Sequence, residues 1–199
     1  MSLRERKKEQ TRRQIAETAR RLFGERGFED VTVNEIAREA DVSAQTVFNY
    51  FPTKEDLVYW RLGAFEAELL QAVSEREGTP LEAFKAFILS QRGLLGRSEP
   101  EAFEALQALT RTITGSPSLQ AREQQILDGY TAALAEELGG DTRAHVAAAA
   151  MICVHRALIG YTRRSILAGA TRSALQKGLK AEAEKAFALV EHGLGDYHS

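Results

Sequence analysis

Gln45 and Asn49 stand four positions apart, with Ala44 directly before the first of them. On a helix that spacing puts both amides on one face. A carboxamide presents a donor beside an acceptor, which matches the N6 and N7 edge of adenine, and the Ala44 methyl suits a thymine methyl. These residues point to recognition without bond making, namely the reading of base edges in a major groove. Thr46, Tyr50 and Lys54 flank the pair, where contacts to phosphate would set register without reading sequence.

Such a trio can read DNA only if a short helix is held out from the body of the protein. Residues 32–51 supply the means. Thr32 and Glu35 have the spacing of a capping box, so a helix is expected over about Val33–Ala40. Ile36, Ala37 and Ala40 form its buried stripe, and small Ala37 lets a second helix cross closely. Asp41 falls at the turn, where a left-handed backbone is expected; glycine is best there, but aspartate tolerates it. Val42 plugs the turn and Ser43 caps a second helix over about Ala44–Phe51, with Val47 and Tyr50 facing inward. This placement of small and apolar residues matches a helix-turn-helix.

Around it nearly every segment reads as helix, with apolar residues recurring at three and four and no strand-like alternation. The four prolines, Pro52, Pro80, Pro100 and Pro117, all fall where a helix should begin or end. Further helices are expected over about Lys8–Gly27, from Thr53 onward through Leu57, Trp60, Leu62, Phe65 and Leu69, and then over Leu81–Leu95, Glu99–Ile113, Ser118–Leu138, Thr142–Ala168 and Ser173–His192. The fold class is all-α: a three-helix domain over residues 1–52, followed by a larger helical bundle over residues 53–199.

Composition narrows the function. The 199 residues carry a net charge of −2, yet residues 1–54 hold 11 basic against 9 acidic side chains, and residues 1–13 hold six against two. A basic arm on an otherwise acidic chain suits a polyanion; a solvated tail is the plainer alternative. The single cysteine, Cys153, excludes an internal disulfide. No stretch approaches the roughly 20 apolar residues of a membrane span, and no secretory apolar run is seen, so a cytoplasmic location away from any membrane is expected. Cys153 and His155 are two apart and point about 160° from each other on a helix, which fits neither a metal pair nor a thiol–imidazole couple. There is no other metal-ligand cluster and no glycine-rich phosphate loop, so neither an enzyme nor a cofactor or metal is expected. A helical adaptor that docks protein on the same helix pair is the alternative; Gln45, Asn49 and the basic arm argue against it.

Phe23, Gly27, Phe28, Thr32, Ile36, Ala37, Ala40, Val42, Ser43, Thr46, Phe48, Tyr50, Phe51, Lys54, Glu55 and Leu57 together resemble the TetR family of bacterial regulators, most closely over the stretch from Val42 to Leu57. Asp41, Gln45 and Phe48 depart from that pattern, where Gly, Gly and Tyr are common. The resemblance implies a DNA-contacting set of Thr32, Ser43, Ala44, Gln45, Thr46, Phe48, Asn49, Tyr50 and Lys54. It also implies a repressor that leaves a palindromic double-stranded operator when a small effector binds. Trp60, Phe65, Phe87, Phe103, Leu106 and Met151 would line the effector pocket, with Arg111 and His155 orienting a polar group of an apolar or aromatic ligand. A homodimer is expected through the last two helices, one carrying the small residues Ala147–Ala150, Cys153, Ala157 and Gly160 and the other Leu175, Leu179, Ala183, Ala186 and Val190, as a four-helix interface.

Overall fold

The computed structural model describes residues 2–90 and 100–193, and the side chains of 100 and 101 are left aside. Among the described residues the chain forms nine α-helices: α1 (Leu3–Arg26), α2 (Val33–Glu39), α3 (Ala44–Tyr50), α4 (Leu62–Ser74), α5 (Pro80–Leu89), α6 (Pro100–Thr114), α7 (Pro117–Glu137), α8 (Thr142–Leu167) and α9 (Arg172–His192). No strand occurs among them. The all-α expectation holds, and most boundaries fall within a residue or two of those read from the sequence.

Two elements differ. Helix α1 begins at Leu3, five residues earlier than expected, because Ser2 and Glu5 form a capping box that stops the end from fraying. The basic residues of the arm therefore ride on a helix. The long helix expected from Thr53 is broken instead: a single 3₁₀ turn spans Glu55–Leu57, and α4 starts only at Leu62. Side-chain bonds hold the break. Thr53 and Asp56 cap each other, Asp56 also accepts from Arg122 Nε at 2.9 Å, and the Tyr59 hydroxyl donates to the Leu119 carbonyl at 2.9 Å. The last part of the expected Leu81–Leu95 helix lies outside the described residues; α5 ends at Leu89.

The chain divides into two compact units. The first comprises residues 1–62 together with 111–123, and the second comprises 63–110 and 124–199. The first unit thus reaches past the 52/53 division read from the sequence and takes in the α6–α7 turn. Its core is Ile15, Ala19, Phe23, Phe28, Ile36, Ala37, Val47, Phe51 and Leu57, all buried. The second unit buries Leu69, Phe84, Ile88, Leu134, Ile152, Leu158, Leu179 and Phe187. Helix α8 is long and apolar enough to cross a membrane by length and composition, with mean hydropathy 1.3 over its best window, which the sequence reading did not anticipate. Its apolarity has a local explanation: Ala144, Ala148, Met151, His155, Leu158, Thr162 and Ile166 recur at three and four as one buried stripe.

Candidate functional site

In the first unit the α2–α3 pair is built from its caps. Thr32 Oγ1 accepts from the Glu35 backbone N–H at 3.2 Å, and the Glu35 carboxylate accepts from the Thr32 N–H at 2.8 Å. The Thr32 N–H is the main reason that the Glu35 carboxyl is held down to about 2, with the Arg26 guanidinium at 2.8 Å adding to it. Between the helices Asp41 adopts φ 53°, the only positive φ on a non-glycine residue among those described, as the turn requires. The Val42 N–H reaches back to the Ala37 carbonyl at 3.0 Å and closes the turn. Ser43 Oγ then accepts from the Thr46 N–H at 3.0 Å, starting α3. Ile36, Ala37, Ala40 and Val47 are buried, and Gln14 of α1 donates to the Ala40 carbonyl at 3.0 Å to fasten the pair.

What α3 leaves outside is the candidate reading face. Gln45, Phe48 and Asn49 are exposed, while Ala44, Thr46 and Tyr50 are half-buried. Phe48 keeps 45% of its surface free, unusual for so large a ring. Gln45 Nε2 donates to Asn49 Oδ1 at 3.1 Å. The two amides therefore act as one plate: Gln45 Oε1 remains as acceptor and Asn49 Nδ2 as donor, the complement of adenine N6–H and N7. Glu5, Lys8, Glu9 and Arg12 of α1 line an open groove beside Asn49 and Tyr50. The Arg12 guanidinium lies 5.7 Å from the centroid of the Phe51 ring. Lys54 stands with its ammonium 4.2 Å from the Phe28 ring centroid, so its stem is fixed at the edge of the unit.

A clasp that no sequence pattern announces ties residues 111–123 to this unit. Ser116 is buried and its hydroxyl donates to Glu29 Oε1 at 2.6 Å, while Arg122 pairs with Asp56 at 2.8 Å. Gly115-Ser116-Pro117 read only as a helix boundary, because a contact spanning 87 residues leaves no periodic trace.

In the second unit four rings gather. Phe65 of α4 meets Phe87 of α5 at 5.2 Å edge-on, Tyr130 of α7 at 6.0 Å and His155 of α8 at 5.4 Å, the last two nearly parallel to it at 26° and 18°. Phe87, Tyr130 and His155 are buried; Phe65 is half-buried. Burial pushes the His155 imidazole down to about 4, so it is neutral at pH 7, and its Nδ1 has no hydrogen-bond partner. Thr162 Oγ1, two turns along the same stripe, is also buried without a partner. Burial, with the nearby Glu66 carboxylate adding to it, raises the Tyr130 phenol. Of the expected pocket residues, Phe65, Phe87 and His155 thus come together. Met151 is buried on α8, and Phe103 and Leu106 are half-buried on α6. Trp60 and Arg111 belong to the first unit, where the Arg61 guanidinium covers the Trp60 ring at 4.9 Å. Tyr130 was missed, although it lies on an apolar stripe with Leu119, Leu127 and Leu134 that the sequence displays. Cys153 is exposed and His155 buried, so the two point apart as expected.

A capped helix pair with a left-handed turn between the helices is a helix-turn-helix. Residues 15–59 match the model of the bacterial regulatory proteins of the tetR family. It is 30% identical over 140 residues to the HTH-type transcriptional regulator TcmR of Streptomyces glaucescens, which covers 65% of this chain and 61% of TcmR. It is 41% identical over 54 residues to HbdR of Aromatoleum sp. strain CIB, covering 27% of this chain and 24% of HbdR. The matched stretches thus span less than two thirds of these relatives. Among solved structures, the fold resembles native NalD of Pseudomonas aeruginosa, described as the secondary repressor of the MexAB-OprM multidrug efflux pump, with TM-score 0.57 and 19% identity over 89% of this chain and 97% of that one. A TetR-family regulator from Streptomyces coelicolor gives TM-score 0.56 and 19% identity over 91% and 94%.

Proposed function

We propose that this chain is a DNA-binding transcriptional repressor, acting as a homodimer on a palindromic operator and released by a small-molecule effector. The observation that carries the reading is the exposed amide plate of Gln45 and Asn49 on a helix whose scaffold is otherwise buried or capped. Ala44 and Phe48 add apolar contact on the same helix, and Ser43, Thr46, Tyr50, Lys54 and the Thr32 end of α2 supply contacts to phosphate. Two-fold symmetry follows from the operator: two recognition helices read half-sites about one DNA turn apart. Helices α8 and α9 provide the dimer face, with Val146 and Leu167 left 66% and 53% exposed on α8. The cluster around His155 receives the effector, and bound effector favours a spacing of the recognition helices that no longer fits both half-sites.

Selection of bound sequences from a random DNA pool tests this reading. An enriched palindrome with half-sites one turn apart is expected. A pool that emerges unenriched would instead favour the adaptor, in which the same helix pair docks protein.

A further inference from the structure

Phe48 is the side chain that the fold does least to explain. Its ring keeps 45% of its surface free, while Val47 beside it is buried in the core of the first unit. A lone apolar residue on an ordinary surface needs no account, but this one stands on the reading helix. Positions 44 and 48 are one turn apart and share a face, as positions 45 and 49 do. Helix α3 therefore carries an apolar row, Ala44 and Phe48, directly beside its bonded amides Gln45 and Asn49. A tyrosine at this place could bond a phosphate oxygen through its hydroxyl; phenylalanine cannot, so whatever it gains comes from apolar contact. On the edges of base pairs in a major groove the apolar group is the C5-methyl of thymine, and alanine and phenylalanine side chains suit it.

We propose that Phe48 determines specificity by packing on the C5-methyl of one thymine in each half-site, with Ala44 closing the contact from the preceding turn. The proposal rests on the DNA reading above and adds to it a residue that senses a methyl group instead of a hydrogen-bonding edge. A base suits the ring better than a protein partner does. A stable protein interface takes roughly 800 Å² from each side and has an apolar core. Among the described residues, Leu3 and Phe48 are the only large apolar side chains exposed on the first unit. One methyl, by contrast, needs only one ring, and this ring continues the face on which the amides read. The chemistry extends beyond thymine: 5-methylcytosine carries the same methyl on the same carbon, so Phe48 makes binding respond to methylation of a cytosine placed there.

Duplexes bearing the selected operator, each with one thymine replaced by uracil, test the proposal in competition for the full chain. Uracil pairs as thymine does and lacks only the methyl. The wild type is expected to lose roughly fourfold in affinity at one thymine of each half-site, the worth of burying one methyl. Phe48→Ala should show no loss at that thymine, and Phe48→Leu, which keeps apolar reach, should show part of it. A G·C pair at the same position gives the second measurement. There 5-methylcytosine should bind the wild type roughly fourfold more tightly than cytosine, and Phe48→Ala should bind the two alike. Uracil losses that are the same in the wild type and Phe48→Ala would overturn the proposal. Equal binding of the cytosine and 5-methylcytosine duplexes by the wild type would do so too, as would an enriched half-site without thymine. The Phe48 ring is exposed, so Phe48→Ala leaves the core intact; should that variant lose all operator binding, Phe48→Leu carries the same comparison. The two levels separate cleanly. A pool that emerges unenriched removes the DNA reading and this proposal with it, whereas an enriched palindrome whose thymines all tolerate uracil removes this proposal alone.

Discussion

The α2–α3 pair and the α8 stripe handle their polar groups in opposite ways. In the pair, the polar side chains at the helix starts are tied within three residues of sequence: Thr32 to Glu35, Ser43 to Thr46. Along α8, His155 and Thr162 are buried seven positions apart on one face, and neither His155 Nδ1 nor Thr162 Oγ1 has a hydrogen-bond partner. Local caps make a platform that holds α3 with Gln45, Phe48 and Asn49 exposed. Unpaired groups on a long helix are what a site needs if something else is to satisfy them. The contrast separates a part that presents its polar side chains from a part that buries two polar atoms unpaired.

The sharpest way to break that contrast is acid. Burial holds the His155 imidazole down to about 4 in the folded state, against about 6.5 in an unfolded chain. Between those values the unfolded state binds more protons, so stability falls as pH drops from about 6.5 and levels off near 4; above 6.5 the residue contributes no slope. The full difference is about 3 kcal/mol. Chemical denaturation from pH 7 to pH 4 should show this loss in the wild type and lack it in His155→Phe. Identical slopes in the two proteins would mean that His155 is hydrated or paired, and the α8 side of the contrast would fall.

On the platform side, Gln45→Ala should cost about 1–3 kcal/mol of discrimination at one or two base pairs while non-specific binding survives. The amide plate predicts more: Asn49→Ala should relax the same position, and the double variant should lose little beyond either single change. Additive losses at two separate positions, read by competition with substituted operators, would show that the amides act apart despite their 3.1 Å bond.

A smaller effect tests the other half. Thr162→Val removes a buried hydroxyl that has no partner and keeps the shape nearly constant, so it should raise stability by about 1–2 kcal/mol. Loss of stability on thermal unfolding would reveal a bond to Thr162 that the folded chain makes in solution.

How much of this could be read from residues follows the same division. The turn at Asp41, the caps at Thr32 and Ser43 and the buried Ile36, Ala37 and Val47 are encoded within a few positions of where they act, and all were legible. The break after Thr53 was not, because Asp56 and Tyr59 are held by Arg122 and Leu119, some 60 residues onward. Nor was the membership of Tyr130 in the ring cluster: periodicity shows which face of a helix is buried, but not which distant faces it meets. Of the eight pocket residues expected, the three that gather were chosen by residue type, and nothing in their spacing separated them from Trp60 and Arg111, which lie in the other unit.

The finest adjustment to the comparison lies at Asp41 itself. Its φ of 53° is a conformation that a β-carbon makes unfavourable, and aspartate bears the cost better than most side chains without removing it. Asp41→Gly should therefore stabilise the protein by about 1 kcal/mol, lessened by the extra freedom that glycine gives the unfolded chain. If the platform serves only to hold α3 in place, the gain should appear in thermal unfolding with no change in which bases are preferred. A changed base preference in Asp41→Gly would mean that the turn also sets the angle at which Gln45 and Asn49 meet DNA. The platform would then set the angle of its reading face as well as hold it, and Asp41 would count among the residues that decide base preference.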